Sequence, residues 1–433
     1  MRVPIATAGW ESTWEADLVA RLESADSGLV VVRRCVDVAD LLACAAGGTI
    51  RAVIVSAGLP RLDLEVLHRL RACDVAVVGV ATRPDDDRRL RQLGVQWFGR
   101  ADDDPRSLAA LVSAALRSAA QEAAASPAAA GRGELSGGVG VPGPALEGRE
   151  AGWSPEPVSL GEGNQLIAVW GPTGAPGRTS VAIGLAAESA ALGHPTLLID
   201  ADTYGGAVAQ LLGLLDEAPG LAAAVRHANA GTLDVPALHR LAPVVVDNLR
   251  VLTGISRPER WPELRVASLR SVYALARQLA ETVVVDCAFC LEDDDELSYD
   301  TLAPRRNAVT LVTVADADQV VAVGSADPIG LHRLIRGIDR LREIVPDAAI
   351  RVVVNRLRPG PISGPHVSGQ IRAELAKFAS VTDVVFIPDD RPAFDRAVAD
   401  GRLLRECAPK SPAVRAFAQL ARMVLSARRS GSA

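Results

Sequence analysis

Short apolar runs alternate along this chain with stretches in which apolar positions recur every three or four residues. In the N-terminal part, Val3–Thr7, Leu29–Arg33, Ala52–Val55, Val75–Val80 and Gln96–Phe98 read as strands. The stretches near 13–24, 37–46, 63–72, 84–93 and 105–119 carry helical spacing. Each strand is followed by a helix, and that alternation predicts a doubly wound parallel sheet. A second alternation begins near residue 164. Strands are expected there at Leu166–Trp170, Thr196–Ile199, Leu249–Thr253, Thr282–Val285, Ala308–Val314, Ile350–Asn355 and Val381–Ile387. Their near-continuous apolar character predicts a sheet covered on both faces. The fold class is therefore α/β, with two doubly wound parallel-sheet domains.

Between the two alternations apolar periodicity disappears. Residues 118–163 are dominated by Ala, Gly, Pro, Ser and Glu, the composition of a flexible linker. The expected organisation is a domain over 1–117, a linker over 118–163, a domain over 164–428 and a tail over 429–433.

Composition narrows the function classes. With 46 basic and 52 acidic residues the net charge is -6, which disfavours binding nucleic acid through bulk positive charge. No uncharged apolar stretch reaches the roughly 18 residues a membrane-spanning helix needs. Glu11 and Glu15 stand where a signal peptide would carry its apolar segment, so a cytoplasmic protein is expected. The 6 cysteines lack a paired framework and read as reduced thiols. Among the 46 basic residues only Lys377 and Lys410 are lysine. Coding bias towards arginine accounts for most of that, but no mechanism here can use a lysine before position 377.

The chemistry-bearing segment is Gly171–Ser180 (GPTGAPGRTS), between the strand LIAVW and the helical pattern SVAIGLAAESAAL. A glycine-rich turn from a strand into a helix N-terminus gathers unpaired N–H groups and the positive helix end, which cradle phosphate. Downstream follow LLIDADTYGGAVAQLLGL (197–214), VVVDCAF (283–289), VVVNR (352–356) and IPDDRPAFDRAVADGRLL (387–404). This series resembles the ParA/MinD family of P-loop ATPases with a deviant phosphate loop, and within it the CpaE/TadZ-type and septum-site-determining branch. The resemblance implies ATP and Mg²⁺ as cofactors. Gly174, Ala175, Gly177, Arg178, Thr179 and Ser180 would bind phosphate, Asn355 would read the adenine edge, and the segment from Pro388 would close over the base. Thr179, Asp202 and Asp286 would surround Mg²⁺, with Asp202 orienting the attacking water and Arg178 contacting the β- and γ-phosphates.

The loop departs from the family pattern of Gly, signature Lys, Gly, Gly, any residue, Gly, Lys, Thr/Ser. In those positions stand Pro172, Thr173, Gly174, Ala175, Pro176, Gly177, Arg178 and Thr179. Thr173 cannot make the signature lysine's reach across a dimer. Pro172 and Pro176 remove N–H donors from the cradle. Arg178 keeps one charge in a bulkier planar fork. Two outcomes stay open: an ATP-binding switch with slow turnover, or a non-hydrolysing interaction scaffold.

The N-terminal domain resembles a response-regulator receiver, most clearly in AVIVSAGLPRLDLEVLHRLR and GVQWFGR. Ser56 stands at the position of the phospho-accepting aspartate, Thr7, Ala8 and Gly9 where an acidic pair belongs, and Arg100 in place of the lysine. Without clustered carboxylates such a domain cannot hold Mg²⁺ for phosphoryl transfer, and partner docking is its expected role.

Weaker signals remain. Cys287 and Cys290 form a CxxC with no second pair to complete a metal site, so small buried fillers are expected. Glu292–Glu296 reads as a solvated acidic loop. The terminal stretch places Val414, Phe417, Leu420 and Val424 on one face, a pattern that suits packing on the sheet or a grip on an anionic membrane surface, with packing favoured. The six histidines show no metal spacing. Taken together, the sequence implies an ATP/ADP-binding, homodimer-forming positioning regulator, for septum placement or polar siting of a Tad-type pilus or secretion machine. A protein partner would dock on the N-terminal domain, and DNA is disfavoured.

Overall fold

In a computed structural model, residues 2–9, 13–24, 27–83, 86–124, 164–174, 176–214, 219–293, 304–358 and 367–430 are described. The chain forms two compact units, one built on a five-stranded sheet and one on an eight-stranded sheet.

The first sheet comprises β1 (Val3–Ala8), β2 (Leu29–Cys35), β3 (Ala52–Ser56), β4 (Ala76–Ala81) and β5 (Trp97–Arg100), all parallel, in the order β2-β1-β3-β4-β5. This is the flavodoxin-like doubly wound order. The crossovers are α1 (Thr13–Ser24), α2 (Val38–Ala46), α3 (Leu64–Ala72) and α4 (Asp86–Gln92), with α5 (Pro105–Ala124) following β5. Asp37 and Asp63 cap α2 and α3 by accepting N–H bonds from Asp40 and Val66. Two apolar clusters fill the opposite faces of the sheet, one around Val53, Val55 and Leu67, the other around Ile54, Val78 and Leu108. Helix α5 runs to Ala124, beyond where the linker is expected to start; the expected linker from 125 onward lies outside the described residues.

At the ends of these strands, Ser56 is buried and its Oγ accepts the Gly58 N–H at 3.1 Å. Thr7 Oγ1 donates to Glu15 at 2.6 Å, and Arg34 reaches the same carboxylate at 3.3 Å. The glutamate is thus spent on its own neighbours.

The second sheet runs β13-β12-β11-β6-β10-β7-β9-β8. Its strands are β6 (Gln165–Trp170), β7 (Thr196–Ala201), β8 (Val244–Val246), β9 (Leu249–Leu252), β10 (Thr282–Cys287), β11 (Gln319–Ser325), β12 (Ala349–Leu357) and β13 (Val384–Pro388). Helices in chain order are α6 (Arg178–Ala191), α7 (Val208–Leu211), α8 (Gly220–Asn229), α9 (Val235–Leu241), α10 (Val266–Leu279), α11 (Ala308–Asp316), α12 (Pro328–Ile344), α13 (Val367–Ala379), α14 (Arg391–Asp400), α15 (Leu404–Cys407) and α16 (Pro412–Ser430). Of the acidic run Glu292–Glu296, residues 294–296 lie outside the described residues.

The second unit departs from the sequence reading in two places. The second sheet is mixed, because β8 pairs antiparallel with β9. The tight connection through Asp247 and Asn248, with Asn248 at φ 62, makes a hairpin, and a hairpin can only join antiparallel strands. The expected strand at Ala308–Val314 is the helix α11, and the strand of that unit is β11. Both runs are short and rich in valine, so periodicity does not separate a buried helix from a buried strand.

The core of this unit joins α6 and α16 to the sheet. Trp170 and Phe417 are its largest fully buried side chains. A Cβ on Gly184 would stand 2.6 Å from the Phe417 ring, so glycine in α6 is what lets α16 seat there. Val414, Phe417, Leu420 and Val424 all belong to this core. The apolar face of the terminal helix is therefore consumed by packing. Among the described residues no helix is long and apolar enough to cross a membrane.

Candidate functional site

The sheet order places β6 beside β10, and β10 beside β7, so three C-terminal strand ends open onto one place. Register then aligns the carboxylates: Asp286 pairs with Val169 on one side and Asp200 on the other. Asp200 and Asp286 therefore project to the same face from adjacent parallel strands, and Asp202, two residues on, follows Asp200.

Each carboxylate sits in a different environment. Asp200 Oδ1 accepts the Asp202 N–H at 3.2 Å and Oδ2 accepts that of Val208 at 3.1 Å. Gly206 and Gly254 close over it, since a Cβ on either would stand 2.8 Å from its carboxyl group. Burial pushes its pKa up to about 6 against those hydrogen bonds, with the Asp202 charge adding to the rise. Asp202 Oδ1 accepts the N–H groups of Tyr204 at 2.8 Å and Gly205 at 3.1 Å, while Oδ2 faces Arg178 Nη2 at 3.4 Å. Asp286 is fully buried, and among the described residues neither of its oxygens makes a hydrogen bond of full geometry, although the Thr179 hydroxyl bears on it. Burial, then the Asp200 charge, hold its carboxyl well above the usual range; the Thr179 hydroxyl and the Arg178 charge act against them.

The loop from β6 enters α6 through Gly177 at φ 92, with no side-chain cap on the helix. Its first-turn N–H groups are left for a ligand. Gly174 also takes a positive φ, 106. Arg178 turns back beneath the loop, where Nε donates to the Cys287 carbonyl at 3.1 Å and Nη1 to those of Gly171 at 3.2 Å and Pro172 at 3.4 Å. The arginine thus ties the phosphate loop to the end of β10. Asn355 does similar work from β12, its Nδ2 donating to the Pro176 carbonyl at 2.9 Å.

Arg178, Thr179, Asp202 and Asp286 are thus gathered at one point. Ser180 is turned elsewhere: it lines an apolar groove with Ile183, Phe394, Val398 and Phe417. One position along a helix is a rotation of about 100°, which separates it from Thr179. Pro388 closes β13 opposite Leu357. Ala175 lies outside the described residues. Cys287 is fully buried and its thiol is pushed up, first by burial and then by Asp286. Cys290 is half-buried. Among the described residues no group of three or more His, Cys, Asp or Glu forms a metal cage.

Sequence reading did not single out two further features. Asp200 is the brace of the loop after β7, and its alternation with Asp202 is the signal that could have found it. An aromatic link joins the loops after β7 and β10: the Tyr204 and Phe289 rings lie 4.8 Å apart, and the Arg306 guanidinium sits 3.8 Å over Tyr204. Trp170 Nε1 donates to the Phe289 carbonyl at 3.1 Å.

Gly177 is a tight point of the loop. A Cβ there would stand 2.3 Å from Asn355 Nδ2, at a φ that side chains resist. Gly177→Ala is expected to cost about 2 kcal/mol or more, through lost loop bracing and strain. Chemical denaturation checks this; an unchanged midpoint contradicts it.

Neither protein-family models nor curated proteins give a match to the chain. Solved structures do. A ParA family ATPase from Chlorobium tepidum TLS covers 60% of this chain and 98% of its own, at 15% identity and a TM-score of 0.50. The cell division ATPase MinD of Pyrococcus furiosus covers 60% and 98%, at 19% identity and 0.47. The septum site-determining protein MinD complexed with Mg-ADP, from Pyrococcus horikoshii OT3, covers 60% and 95%, at 18% and 0.46. The first of these likenesses establishes the fold, an α/β P-loop NTPase architecture of the ParA kind.

Proposed function

We propose that the second unit binds ATP with Mg²⁺ and that the chain is a divergent ParA/MinD-type positioning regulator, switching between monomer and nucleotide-bridged dimer. The observation that carries this reading is Asp286. A fully buried carboxylate with two unpartnered oxygens is costly unless a cation or its water shell completes it. The donor set fits Mg²⁺ in a P-loop: one hydroxyl and nearby carboxylates, with phosphate oxygens and water filling the remainder, rather than an all-protein cage.

In this reading Thr179 is the direct protein ligand and Asp286 acts through water. Bound Mg²⁺ supplies charge neutralisation at the phosphates. Asp202 positions water, held in aim by the Tyr204 and Gly205 N–H groups. Arg178 bears on the phosphates by exchanging its loop carbonyls for them. Gly174, Gly177 and Ser180 belong to the loop, with Ala175, and Asn355 keeps its Oδ1 for a base edge while its amide braces Pro176. Pro388 begins the segment over the base. The first unit is a receiver-like docking domain without phosphorylation chemistry, and the cellular task is septum placement or polar siting of a pilus or secretion machine.

A second reading, the non-hydrolysing scaffold, draws support from Arg178, whose fork is occupied by the chain's own carbonyls. A phosphate-release assay separates the two. The switch requires slow turnover that falls at least about tenfold in Asp202→Ala and in Arg178→Ala. Turnover unchanged by both substitutions supports the scaffold.

A further inference from the structure

Arg333 lies early in α12, outside every motif of the phosphate loop, yet its side chain ends on the loop apex. Its Nη1 approaches the Thr173 carbonyl at 3.4 Å. A Cβ on Gly174 would stand 2.4 Å from the same nitrogen, so the guanidinium packs directly on that glycine. Thr173, Gly174, Pro176, Asp327, Gly330 and Arg333 line a cleft of about 270 Å³ beside the loop.

The chemistry of this cleft is anion-seeking. Among the described residues Asp327 is the only carboxylate lining it, and both of its oxygens are engaged, one by the Ser325 hydroxyl and the other by the Gly330 N–H at 2.9 Å. It caps α12, and its pKa is lowered first by the Ser325 hydroxyl and the Gly330 N–H and only in smaller part by the Arg333 charge. The contact with Thr173 is long, and Arg333 is exposed, so little is lost when the fork turns from a neutral carbonyl to an anion. The loop needs such a cation. Thr173 carries no charge, Pro172 and Pro176 carry no N–H, and the chain has no lysine before 377.

We propose that Arg333 is a phosphate-binding residue, supplying from α12 of the same chain the cation that the loop apex lacks. The inference rests on the nucleotide-binding reading above and adds to it. A lysine reaching from a partner makes tight binding depend on dimerisation. Arg333 lessens that dependence: a single chain carries a cation of its own at the loop apex before any partner arrives. Its planar fork presents two parallel N–H donors in a fixed geometry, which an ammonium does not.

The test is calorimetry with Mg²⁺–ATP, inorganic tripolyphosphate and AMP, on the full chain and on Arg333→Ala, Arg333→Lys, Arg336→Ala and Thr179→Ala. Circular dichroism confirms that each variant is folded. Arg333→Ala is expected to weaken Mg²⁺–ATP and tripolyphosphate by about tenfold or more. AMP is expected to be unaffected, Arg333→Lys intermediate, and Arg336→Ala like the wild type. Arg333→Ala binding like the wild type while Thr179→Ala is weakened overturns the role of Arg333 and leaves the nucleotide site standing. Wild-type chain that binds none of the three ligands overturns both.

Discussion

At pH 8 and without divalent cations, the Asp286→Asn chain is expected to unfold at a higher temperature than the wild type. The wild-type site holds three carboxylates at the ends of two adjacent strands, and among the described residues neither oxygen of Asp286 makes a hydrogen bond of full geometry. Burial and the Asp200 charge raise its pKa. An acid whose pKa is higher folded than unfolded is free of penalty below its unfolded value, where both states are protonated. The penalty grows as pH rises and is complete above the folded value. Asparagine removes that charge and can donate to Asp200 or Asp202. The variant's advantage should therefore be small near pH 4–5 and reach roughly 1–3 kcal/mol by pH 8. Asp200, pushed up to about 6, contributes the same sign of slope between its ordinary range and pH 6. Thermal melts across this range measure it directly. Mg²⁺–ATP should then stabilise the wild type more than the variant, reversing the order. A wild type that outlasts Asp286→Asn at pH 8 without cation contradicts the account of an uncompensated carboxylate.

The second large effect is at Arg178. Its fork holds the Gly171, Pro172 and Cys287 carbonyls and the Asp202 carboxylate, with the side chain only 13% exposed. Truncation to alanine strands those acceptors in a buried loop. The expected loss is about 3 kcal/mol or more, since hydrogen bonds to a charged donor are worth roughly 1.5–3 kcal/mol each and do not add fully. ATP affinity should drop at least tenfold as the phosphates lose this cation. Arg178→Lys separates the two roles. An ammonium cannot span both the loop and β10, so stability falls. The charge remains available, so nucleotide affinity does not fall. An Arg178→Lys chain that keeps full stability in chemical denaturation would show that the tie between loop and β10 is unimportant.

Much of this arrangement was legible in the sequence. The β/α alternation placed all five N-terminal strands, and the order of landmarks from Gly171 to Asn355 picks out Arg178, Thr179, Asp202 and Asp286, which the fold brings together. Asp286 and Asp202 were legible because each ends an apolar strand, and strand ends at a switch in strand order are where α/β sheets hold ligands. What stayed hidden depended on direction rather than identity. Thr179 and Ser180 are adjacent hydroxyls, yet one faces the carboxylates and the other the apolar groove. Asn355 marks a strand end in sequence, but its amide serves Pro176. Arg333 sits in an ordinary amphipathic helix and gains meaning only from Gly174, whose missing Cβ admits it. The α11–β11 error has the same root: two valine-rich runs lie side by side, and only packing decides which one is hydrogen-bonded into the sheet.

The central claim is that the second unit is an ATP–Mg²⁺ site built around Asp286, Thr179 and the loop at Arg178. Titration calorimetry of the purified chain with ATP, in the presence and absence of Mg²⁺, tests it most directly. The account predicts saturable binding that is strengthened by Mg²⁺ and loses that dependence in Asp286→Asn. No heat of binding at millimolar nucleotide, with Mg²⁺ present and the chain folded, would contradict it.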